Sequence, residues 1–379
     1  KHQNLINRQV VLNSGSTLYY VDGANGIEKS LWFKQGISVN GDASFKIGSD
    51  KTVQVSELSG NGTLNIKALN NWTGQRWFNL KGEGGFEGII NVQARAFDAQ
   101  TSGSYPIGLV IHSENAAALA TVNLEGYGAN SQARLVLKSD VGRINALTGN
   151  EYGLVSSDSV RTLSVSSGNY SGQFSNISIT KVGEDILTLS NSNGNGNVKA
   201  LDIQNGTVNY AAPGVESIAM GQEGAATLHL TGGDLTNSGA LTVLSNSGII
   251  ILDGHTLNVA SIAMSGTGSA TLLKLIEGNL TNSGALTVSS DGGKIDLNNH
   301  TLSIAGGTTL SGALEVDMGL TEGSGVTFTG AVSGAGALTF SGMGTATLSN
   351  ASTDYVGGVT LKDFANLNLQ AVFGKSGNQ

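Results

Sequence analysis

The feature that most constrains the fold is a tandem repeat in the second half of the chain. Residues 217–259 read SIAMGQEGAATLHLTGGDLTNSGALTVLSNSGIIILDGHTLNV, and residues 261–304 repeat most of this pattern. Apolar residues alternate with polar ones in short runs such as Ile218/Met220. This period of two predicts short β-strands, and no helical period fits it. Five or six strands in about 45 residues predict two coils of a solenoid, with three strands in each coil.

The composition is that of an all-β chain. The 379 residues include 55 Gly and only 2 Pro. Gly and Asn accept the left-handed backbone of tight turns, whereas Thr, Val and Ile suit pleated strands. Many short strands joined by tight turns, repeated along the chain, predict a parallel β-helix. Such a solenoid buries a continuous core one coil at a time.

The two copies of the repeat together indicate which side of a strand faces the core. Residues 249–252 read Ile-Ile-Ile-Leu, and the matching residues 294–297 read Lys-Ile-Asp-Leu. An unpaired lysine or aspartate is costly to bury, so the second and fourth residues of each run are predicted to face the core. Ile249 and Ile251 are therefore predicted on the outer surface, where they are candidates for self-association of the chain. The shared Thr-Asn-Ser-Gly turns, residues 236–239 and 281–284, are expected to form polar ladders between coils.

Charge and cysteine content narrow the classes of partner. Residues 1–200 carry 16 Lys+Arg and 15 Asp+Glu, whereas residues 201–379 carry 4 and 13. Nucleic acid requires a concentrated basic face, so a nucleic-acid partner is not expected. No apolar run approaches the ~20 residues of a membrane helix, so we expect no membrane contact by this fragment itself. The absence of Cys favours export from the cytoplasm, although a cytosolic chain can also lack Cys by chance.

Residues 334–361, GAGALTFSGMGTATLSNASTDYVGGVTL, resemble the autotransporter-associated β-strand repeat. The matching positions are Gly334, Gly336 and Leu338, then Leu348 and Ser349, then Tyr355, Gly357, Gly358, Thr360 and Leu361. A second stretch, residues 168–191, resembles the same unit through Tyr170, Gly172, residues 179–183 and residues 187–190. The resemblance is loose between residues 192 and 330, and residues 1–160 carry no matching motif.

The resemblance implies the passenger region of a bacterial autotransporter. Such a passenger is secreted across the outer membrane, stands at the cell surface and folds as a right-handed parallel β-helix. Family members are commonly adhesins, aggregation factors or biofilm proteins. We expect one elongated domain, in which residues 1–160 form the first coils and an aromatic-rich cap, and residues 161–379 form the stalk. No C-terminal membrane barrel is recognisable, so a fragment of a longer protein is expected.

The sequence offers no constellation that predicts catalysis. The Gly-Asp-Ser-Gly motif of serine-protease passengers is absent. His255 and His300 occupy equivalent places in the repeat, but two coils separate them by roughly 10 Å, too far for one metal ion. The acidic pairs Glu184-Asp185 and Glu315/Asp317 are interpreted as isolated, solvated surface acids. We therefore expect no enzymatic activity, no metal and no cofactor.

One segment has the chemistry of a ligand contact. Residues 71–78 read NWTGQRWF, with Trp72, Arg76 and Trp77 close together. Indole faces stack on sugar rings, and Arg donates hydrogen bonds to hydroxyl or acidic groups. The competing interpretation is structural, because aromatic residues near the N-terminal end of a solenoid cap or fill its open core.

The leading functional hypothesis is a surface-exposed adhesin or self-association passenger without catalysis. Its expected partners are host glycans, extracellular matrix proteins or other copies of the chain. Two alternatives remain open: a carbohydrate-active β-helix enzyme, either a polysaccharide lyase or a hydrolase, and a passive spacer stalk. The enzyme hypothesis requires carboxylates or basic residues clustered on one face of the coils.

Overall fold

The computed structural model describes residues 4–20, 30–69, 74–94, 106–190, 198–211, 214–244, 248–265, 271–352 and 354–372. All regular elements in these ranges are β-strands. The contacts divide the chain into two compact units. The first unit comprises residues 1–180 and 187–199, and the second comprises residues 181–186 and 200–379. Among the described residues, no helix has the length and apolar character to cross a membrane.

The strands are short and follow one another along the whole described chain. Those numbered β1 to β19 are β1 Asn4–Ile6, β2 Val10–Leu12, β3 Thr17–Tyr20, β4 Ser30–Phe33, β5 Ile37–Val39, β6 Asp42–Ile47, β7 Thr52–Val55, β8 Leu58–Gly60, β9 Thr63–Ala68, β10 Arg76–Leu80, β11 Gly85–Phe86, β12 Ile89–Gln93, β13 Ile107–Ile111, β14 Ala117–Glu125, β15 Ala133–Leu137, β16 Val141–Gly149, β17 Gly153–Tyr170, β18 Gln173–Lys181 and β19 Ile186–Leu189.

The remaining strands continue the same rhythm. They are β20 Val198–Ile203, β21 Gly206–Tyr210, β22 Gly214–Met220, β23 Ala226–Leu230, β24 Leu235–Val243, β25 Gly248–Ile251, β26 Thr256–Met264, β27 Thr271–Ile276, β28 Asn279–Asn282, β29 Leu286–Val288, β30 Gly293–Asp296, β31 Thr301–Ile304, β32 Thr308–Leu310, β33 Leu314–Asp317, β34 Gly325–Phe328, β35 Val332–Gly334, β36 Leu338–Ser341, β37 Thr345–Leu348, β38 Val359–Leu361 and β39 Asn366–Leu369.

Parallel pairing between successive coils builds three ladders in each unit. In the first unit, β4, β7, β10, β13, β15 and the start of β17 form one ladder, which we call the front sheet. In the second unit, β25, β27, β30, β33 and β36 form the ladder that contains residues 249–251 and 294–296 of the two repeat copies. The chain makes about 14 turns in all, and the predicted right-handed parallel β-helix is confirmed.

The side chains alternate between the core and the surface as the repeat predicts. Ile250, Leu252, Ile295 and Leu297 are fully buried, and the residues between them lie on the outer side of their strands. The predicted register is therefore confirmed. In the first unit, the interior carries edge-to-face aromatic contacts, with ring centroids 5.7 Å apart for Phe33–Phe45 and 5.2 Å apart for Phe45–Phe78.

In the ladder of β25, β27 and β30, the stacking of the two repeat copies differs from their sequence alignment by two residues. In the other ladders of the repeat it follows the alignment, as for Leu257, Leu280 and Leu302. The alignment places Ile250 opposite Ile295, two coils away. In the structure, Gly248 pairs with Leu273, which in turn pairs with Ile295. An even shift keeps every side chain on its own face of the sheet, whereas a shift of one residue would reverse them all. This explains why the inward residues of this ladder are predicted correctly although their stacking partners are not.

Asn282, in the second Thr-Asn-Ser-Gly segment, does not take part in the expected polar ladder. Asn282 is fully buried, and its neighbours in the stack are Val259 and Ile304. Its Nδ2 donates to the Ala285 carbonyl (3.1 Å) and its Oδ1 accepts from the Gly284 amide (3.2 Å). The side chain therefore bonds to the backbone of its own turn and not to a neighbouring coil.

A polar ladder does form on an outer face of the first unit. Asn91 Nδ2 donates to Asn65 Oδ1 at 3.0 Å, and Asn123 Nδ2 donates to Asn91 Oδ1 at 3.1 Å. The three asparagines lie on β9, β12 and β14, and their backbones are paired in register. Each amide therefore acts as both donor and acceptor, which links successive coils through their side chains.

In both family-like stretches, packing explains why glycine stands two residues after the tyrosine. Tyr355 is buried, and its hydroxyl donates to the carbonyls of Gly336 (3.1 Å) and Gly358 (2.8 Å). A Cβ on Gly357 would lie 2.7 Å from that hydroxyl oxygen and 2.2 Å from the Gly336 carbonyl oxygen. The earlier pair is built alike, because a Cβ on Gly172 would lie 2.4 Å from the Tyr170 hydroxyl oxygen. Glycine two residues after the tyrosine lets the ring fold back under its own chain.

This packing predicts different costs for two adjacent glycines. Gly357→Ala should destabilise the chain by about 1–3 kcal/mol, because the new methyl group overlaps the tyrosine and a neighbouring carbonyl. Gly358→Ala should change stability by less than about 0.5 kcal/mol, because its Cβ meets no atom within 4 Å. Urea unfolding of both variants measures the difference. Equal destabilisation by the two substitutions would contradict the proposed role of Gly357.

Candidate functional site

A cavity of about 380 Å³ lies on the outer face of the front sheet. Trp77 and Arg134 line one part of it, and His112 and Lys138 line another. We call it the Trp77 cavity. Its remaining lining residues are Asn79, Val110, Val136 and Ser156. They come from β10, β13, β15 and β17, so the site is assembled from four successive coils.

Parallel pairing sorts these side chains into rows that cross the strands. The first row is Trp77, Gly108 and Arg134, and the second is Asn79, Val110, Val136 and Ser156. Main-chain hydrogen bonds from the His112 amide to Leu80 O and from the Lys138 amide to Ile111 O continue the ladder. They set a third row of Lys81, His112 and Lys138. The cavity therefore has an aromatic and arginine side, a polar and apolar floor, and a basic side.

The absence of a side chain at Gly108 shapes the first row. A Cβ at this position would lie 2.4 Å from Trp77 Cζ3 and 2.7 Å from Trp77 Cε3. The indole therefore lies directly over the Gly108 backbone, and any larger residue would push it away. Trp77 remains half-buried on the outer face, which is the arrangement in which an indole offers apolar surface to a ligand.

Arg134 is a cation without a carboxylate partner among the described residues. Its Nη2 donates to Gln132 Oε1 at 3.0 Å, while its Nε is shielded from solvent and has no hydrogen-bond partner. Burial lowers the pKa of the guanidinium. A buried donor that lacks an acceptor is unfavourable, so a ligand oxygen at this position would relieve the unfavourable contact.

Lys81 and His112 form the centre of the basic side. Lys81 Nζ lies 3.0 Å from His112 Nε2, which must be unprotonated to accept this hydrogen bond. Burial first, and then the charges of Lys81 and Lys138, lower the pKa of His112 to about 4. Burial also lowers the pKa of Lys81. At neutral pH, the charge on this side therefore comes from the lysines, and His112 acts as a neutral acceptor.

The outer margin of the basic side carries an ion-pair group. Lys138 Nζ lies 3.1 Å from Asp158 Oδ2, and Arg161 contacts both Asp158 (3.3 Å) and Asp140 (3.0 Å). The hydrogen bond from Lys138 is the largest cause that lowers the pKa of Asp158 to about 2. Asp158 thus holds Lys138 at the margin and does not contribute to the lining of the cavity.

The three residues predicted as ligand contacts do not lie together. Arg76 is fully buried, with Nη1 donating to Gly74 O at 2.9 Å, whereas Trp77 lies on the outer face. Neighbouring residues of one strand point to opposite faces, so the two cannot contact the same surface ligand. The prediction of Arg76 as a surface contact is therefore wrong. Trp72 lies outside the described residues.

Trp77 is also not an end cap, since its strand pairs with β7 on one side and β13 on the other. The capping interpretation therefore does not apply to this residue. The inward aromatic residues near it include Phe33, Phe45 and Phe78, all of which are fully buried. Core filling and surface exposure are thus divided between adjacent positions, Phe78 and Trp77.

The predicted self-association residues lie on the outer face of the second unit. Ile249 and Ile251 are half-buried. In the stack, Ile249 lies between Thr227 and Lys274, and Ile251 pairs with Ile276. The outward orientation is confirmed, and self-association through these residues stays a prediction.

The second unit also carries an acidic group that the sequence predicts wrongly. Glu315 and Asp317 are not isolated, because both contact Lys294 Nζ, at 2.9 and 3.3 Å. Asp296 neighbours Asp317 in the stack and pairs with Lys274 at 2.9 Å. The two lysines therefore compensate most of the negative charge of the three carboxylates on the outer face. Glu184 and Asp185 lie in an exposed bend, as expected. Among the described residues, no group of three or more His, Cys, Asp or Glu side chains is arranged to hold a metal ion.

A second cavity of about 660 Å³ lies in the first unit, where β14 and β16 end. Tyr127, Tyr152, Glu125 and Glu151 line it, and we call it the Tyr127 cavity. Both oxygens of Glu125 are engaged, one by Gln93 Nε2 (2.7 Å) and the other by Asn123 Nδ2 (2.8 Å). This carboxylate therefore takes part in side-chain links between neighbouring coils.

Sequence reasoning missed Arg134, His112 and Lys138. In the stack, Trp77 is followed by Gly108 and then Arg134, so the coils here span 31 and 26 residues. These unequal coils show no repeat in the sequence. One signal was available, because Arg134 and Lys138 stand four residues apart in a run that is otherwise apolar. In a strand, this even spacing predicts that both basic side chains lie on the same, outward face.

Comparison with known proteins gives no match for this chain, whether with protein families, with curated proteins or with solved structures.

The basic side of the Trp77 cavity yields a prediction for the titration of His112. Its ring should titrate near pH 4, below the ordinary value of 6.5. The folded state then resists protonation more than the unfolded state does, so this residue's contribution to stability is lost as the pH falls from 6.5 toward 4. Lys81→Met should raise the pKa, because it removes a neighbouring charge. Lys46→Met, on another face beside Tyr19, should not. NMR titration of the His112 ring measures both effects, and a wild-type midpoint near 6.5 would contradict the account.

Proposed function

We propose that this chain is a non-catalytic, saccharide-binding stalk of the bacterial cell surface, and that its Trp77 cavity is the binding site. The observation that carries the proposal is the joint placement of Trp77, Asn79 and Arg134 around one cavity. A saccharide site needs an aromatic face for the sugar ring and a few oriented polar groups for its hydroxyls. The volume of about 380 Å³ suits a ligand of one or two sugar units.

The solenoid supports this function by holding the site on rigid elements. Each lining residue lies on a strand or directly after one, and each of these strands is hydrogen-bonded to the coils beside it. A binding site on paired strands needs little ordering when the ligand arrives, which favours affinity. We extend the proposal to an autotransporter-type passenger exposed outside the cell. It rests on the two family-like stretches and on the β-helix fold.

The chemistry of the cavity favours binding over catalysis. The described lining contains no carboxylate, so the acid and base pair of a glycoside hydrolase is not available there. A lyase needs a base that can accept a proton near neutral pH. His112, with its pKa of about 4, is a weak base and already accepts a hydrogen bond from Lys81. The basic residues are therefore better suited to hold a ligand than to deprotonate it.

The enzyme alternative rests on the Tyr127 cavity, where Glu125 and Glu151 line one space. A pair of carboxylates is the minimum requirement of glycoside hydrolysis. Asp202 in the second unit is a further acid whose pKa is raised, chiefly by burial, against the lowering effect of the hydrogen bond from Gln204. Neither cavity includes it. We rank hydrolysis second, because both oxygens of Glu125 already accept hydrogen bonds.

The binding proposal predicts a site-specific loss. On an array of glycans and matrix proteins, the purified chain should bind a subset of glycans, and Trp77→Ala should lower that affinity by about tenfold or more. Tyr19→Ala is the matched control, because Tyr19 is an aromatic residue of the same unit that is 58% exposed and lies outside both cavities. It should leave binding unchanged.

Three other outcomes would redirect the proposal. Equal loss in both variants, or loss only in Tyr19→Ala, would place the site elsewhere. Binding of the folded chain to none of the glycans would favour self-association or a passive spacer. Self-association would then be tested by sedimentation at high concentration, where Ile249→Lys and Ile251→Lys should weaken any dimer.

The proposal that the chain is neither a hydrolase nor a lyase yields a separate prediction. Incubation of the chain with neutral and acidic polysaccharides should release neither reducing ends nor unsaturated, ultraviolet-absorbing products. Product release that is abolished by Glu125→Gln and Glu151→Gln, but kept in Trp77→Ala, would establish an enzyme acting in the Tyr127 cavity. The non-catalytic proposal would then be wrong.

A further inference from the structure

We infer that the ligand of the Trp77 cavity is an acidic saccharide, whose carboxylate or sulfate group is held by Arg134, Lys81 and Lys138 while its ring packs against Trp77. The inference rests on the proposed function, because it names the class of saccharide for the same site. It goes further by requiring a negative charge on the ligand.

Carboxylates balance only part of the positive charge around the cavity. Arg134, Lys81 and Lys138 supply three cations within or beside the lining, which contains no described carboxylate. Only Lys138 has an acidic partner, Asp158, and that pair lies 3.1 Å apart at the margin. Lys81 and Arg134 have none among the described residues. Two uncompensated cations, both partly removed from water, favour a ligand that brings its own negative charge.

Two cationic donors of the cavity lack an anionic acceptor among the described residues. Arg134 Nε is shielded from solvent and has no acceptor in the described part of the chain. Lys81 directs its ammonium group toward a neutral imidazole, 3.0 Å from Nε2. An anionic oxygen is a stronger acceptor than a neutral hydroxyl for both groups. A neutral sugar would leave these cations without a counter-charge, whereas a carboxylate or sulfate would supply one.

The rows of side chains place cations on two sides of the cavity floor. Lys81, His112 and Lys138 follow one another on successive coils, at the strand spacing of about 4.8 Å. Trp77 and Arg134 lie on the opposite side of the same floor, with the Gly108 backbone between them. A sugar ring placed against Trp77 across the strands can direct its charged group either to Arg134 or to the lysine row. The outward valines, Val110 and Val136, form an apolar floor between Arg134 and the lysine row.

The test compares matched acidic and neutral ligands with the intact chain. Calorimetry should use an oligogalacturonide with free carboxylates, the same oligosaccharide as its methyl ester, and a sulfated heparin fragment beside its desulfated form. At least one acidic member should bind about tenfold or more tightly than its neutral partner. Its affinity should fall as sodium chloride is added, because salt screens charge-dependent contacts. The carboxylate and sulfate pairs show which anion the site prefers.

Variants locate the charge requirement. Arg134→Gln should remove about tenfold or more of the affinity for the acidic ligand and little for the neutral one. Arg143→Gln is the matched control, because Arg143 is an exposed arginine of the same unit that pairs with Glu114 at 2.6 Å outside the cavity. If Arg134→Gln fails to fold, Lys81→Met and the salt dependence of the unmodified chain test the same requirement.

The outcomes separate this inference from the function on which it rests. Equal binding of acidic and neutral members, lost in both cases with Trp77→Ala, would overturn the acidic ligand and keep the saccharide site. Acidic binding that is unaffected by both Arg134→Gln and Lys81→Met would also overturn it. Failure of every saccharide to bind in a Trp77-dependent manner would overturn the proposed function itself.

Discussion

Everything described in this chain depends on parallel main-chain hydrogen bonding between successive coils. Because each strand lies in register on the strand of the coil before it, one residue position becomes a row that crosses several coils. All side chains of a row point to the same face of the sheet, even when the coils differ in length. Interior rows are filled by side chains such as Phe45 and Phe78, and exterior rows can carry chemistry. The asparagine ladder at residues 65, 91 and 123 is the plainest case, since three coils contribute one amide each to a single hydrogen-bonded line.

The Trp77 cavity follows from the same constraint. No single coil supplies it, because the indole, the guanidinium and the imidazole come from β10, β15 and the end of β13. The register of the strands brings these groups together. Because Gly108 has no side chain, the indole can pack against its backbone. The same register leaves Arg134 Nε and Lys81 without a counter-charge among the described residues. The in-register pairing that builds the core therefore also concentrates positive charge on one outer face.

The extent to which this was predictable varies along the chain. The inward positions of Ile250 and Ile295 follow from comparing two copies of one sequence, since Lys294 and Asp296 exclude the other register. The stacking partners follow the alignment for Leu241, Ile262 and Leu286. They do not follow it in the ladder of β25, β27 and β30, where the copies are displaced by two positions, which alternation cannot detect. The Tyr355 and Gly357 positions were found by resemblance, and their physical reason emerges only from the close approach of ring and backbone.

The cavity could be predicted only in part. Trp77 was identified from its chemistry, yet its neighbour Arg76 was assigned to the same surface against the alternation of the strand. Arg134 and His112 were missed because coils of 31 and 26 residues leave no period to align. Neither the depth of the cavity nor the lack of a counter-charge at Arg134 is a property of sequence spacing. Both depend on which residues of separate coils become neighbours.

The most direct measurement is a crystal structure of this chain with a bound acidic oligosaccharide. The account predicts a sugar ring packed against the Trp77 indole, with a carboxylate or sulfate oxygen within hydrogen-bonding distance of Arg134 or Lys81. A saccharide bound instead between Tyr127 and Tyr152, with the Trp77 cavity left to solvent at saturating ligand, would contradict it.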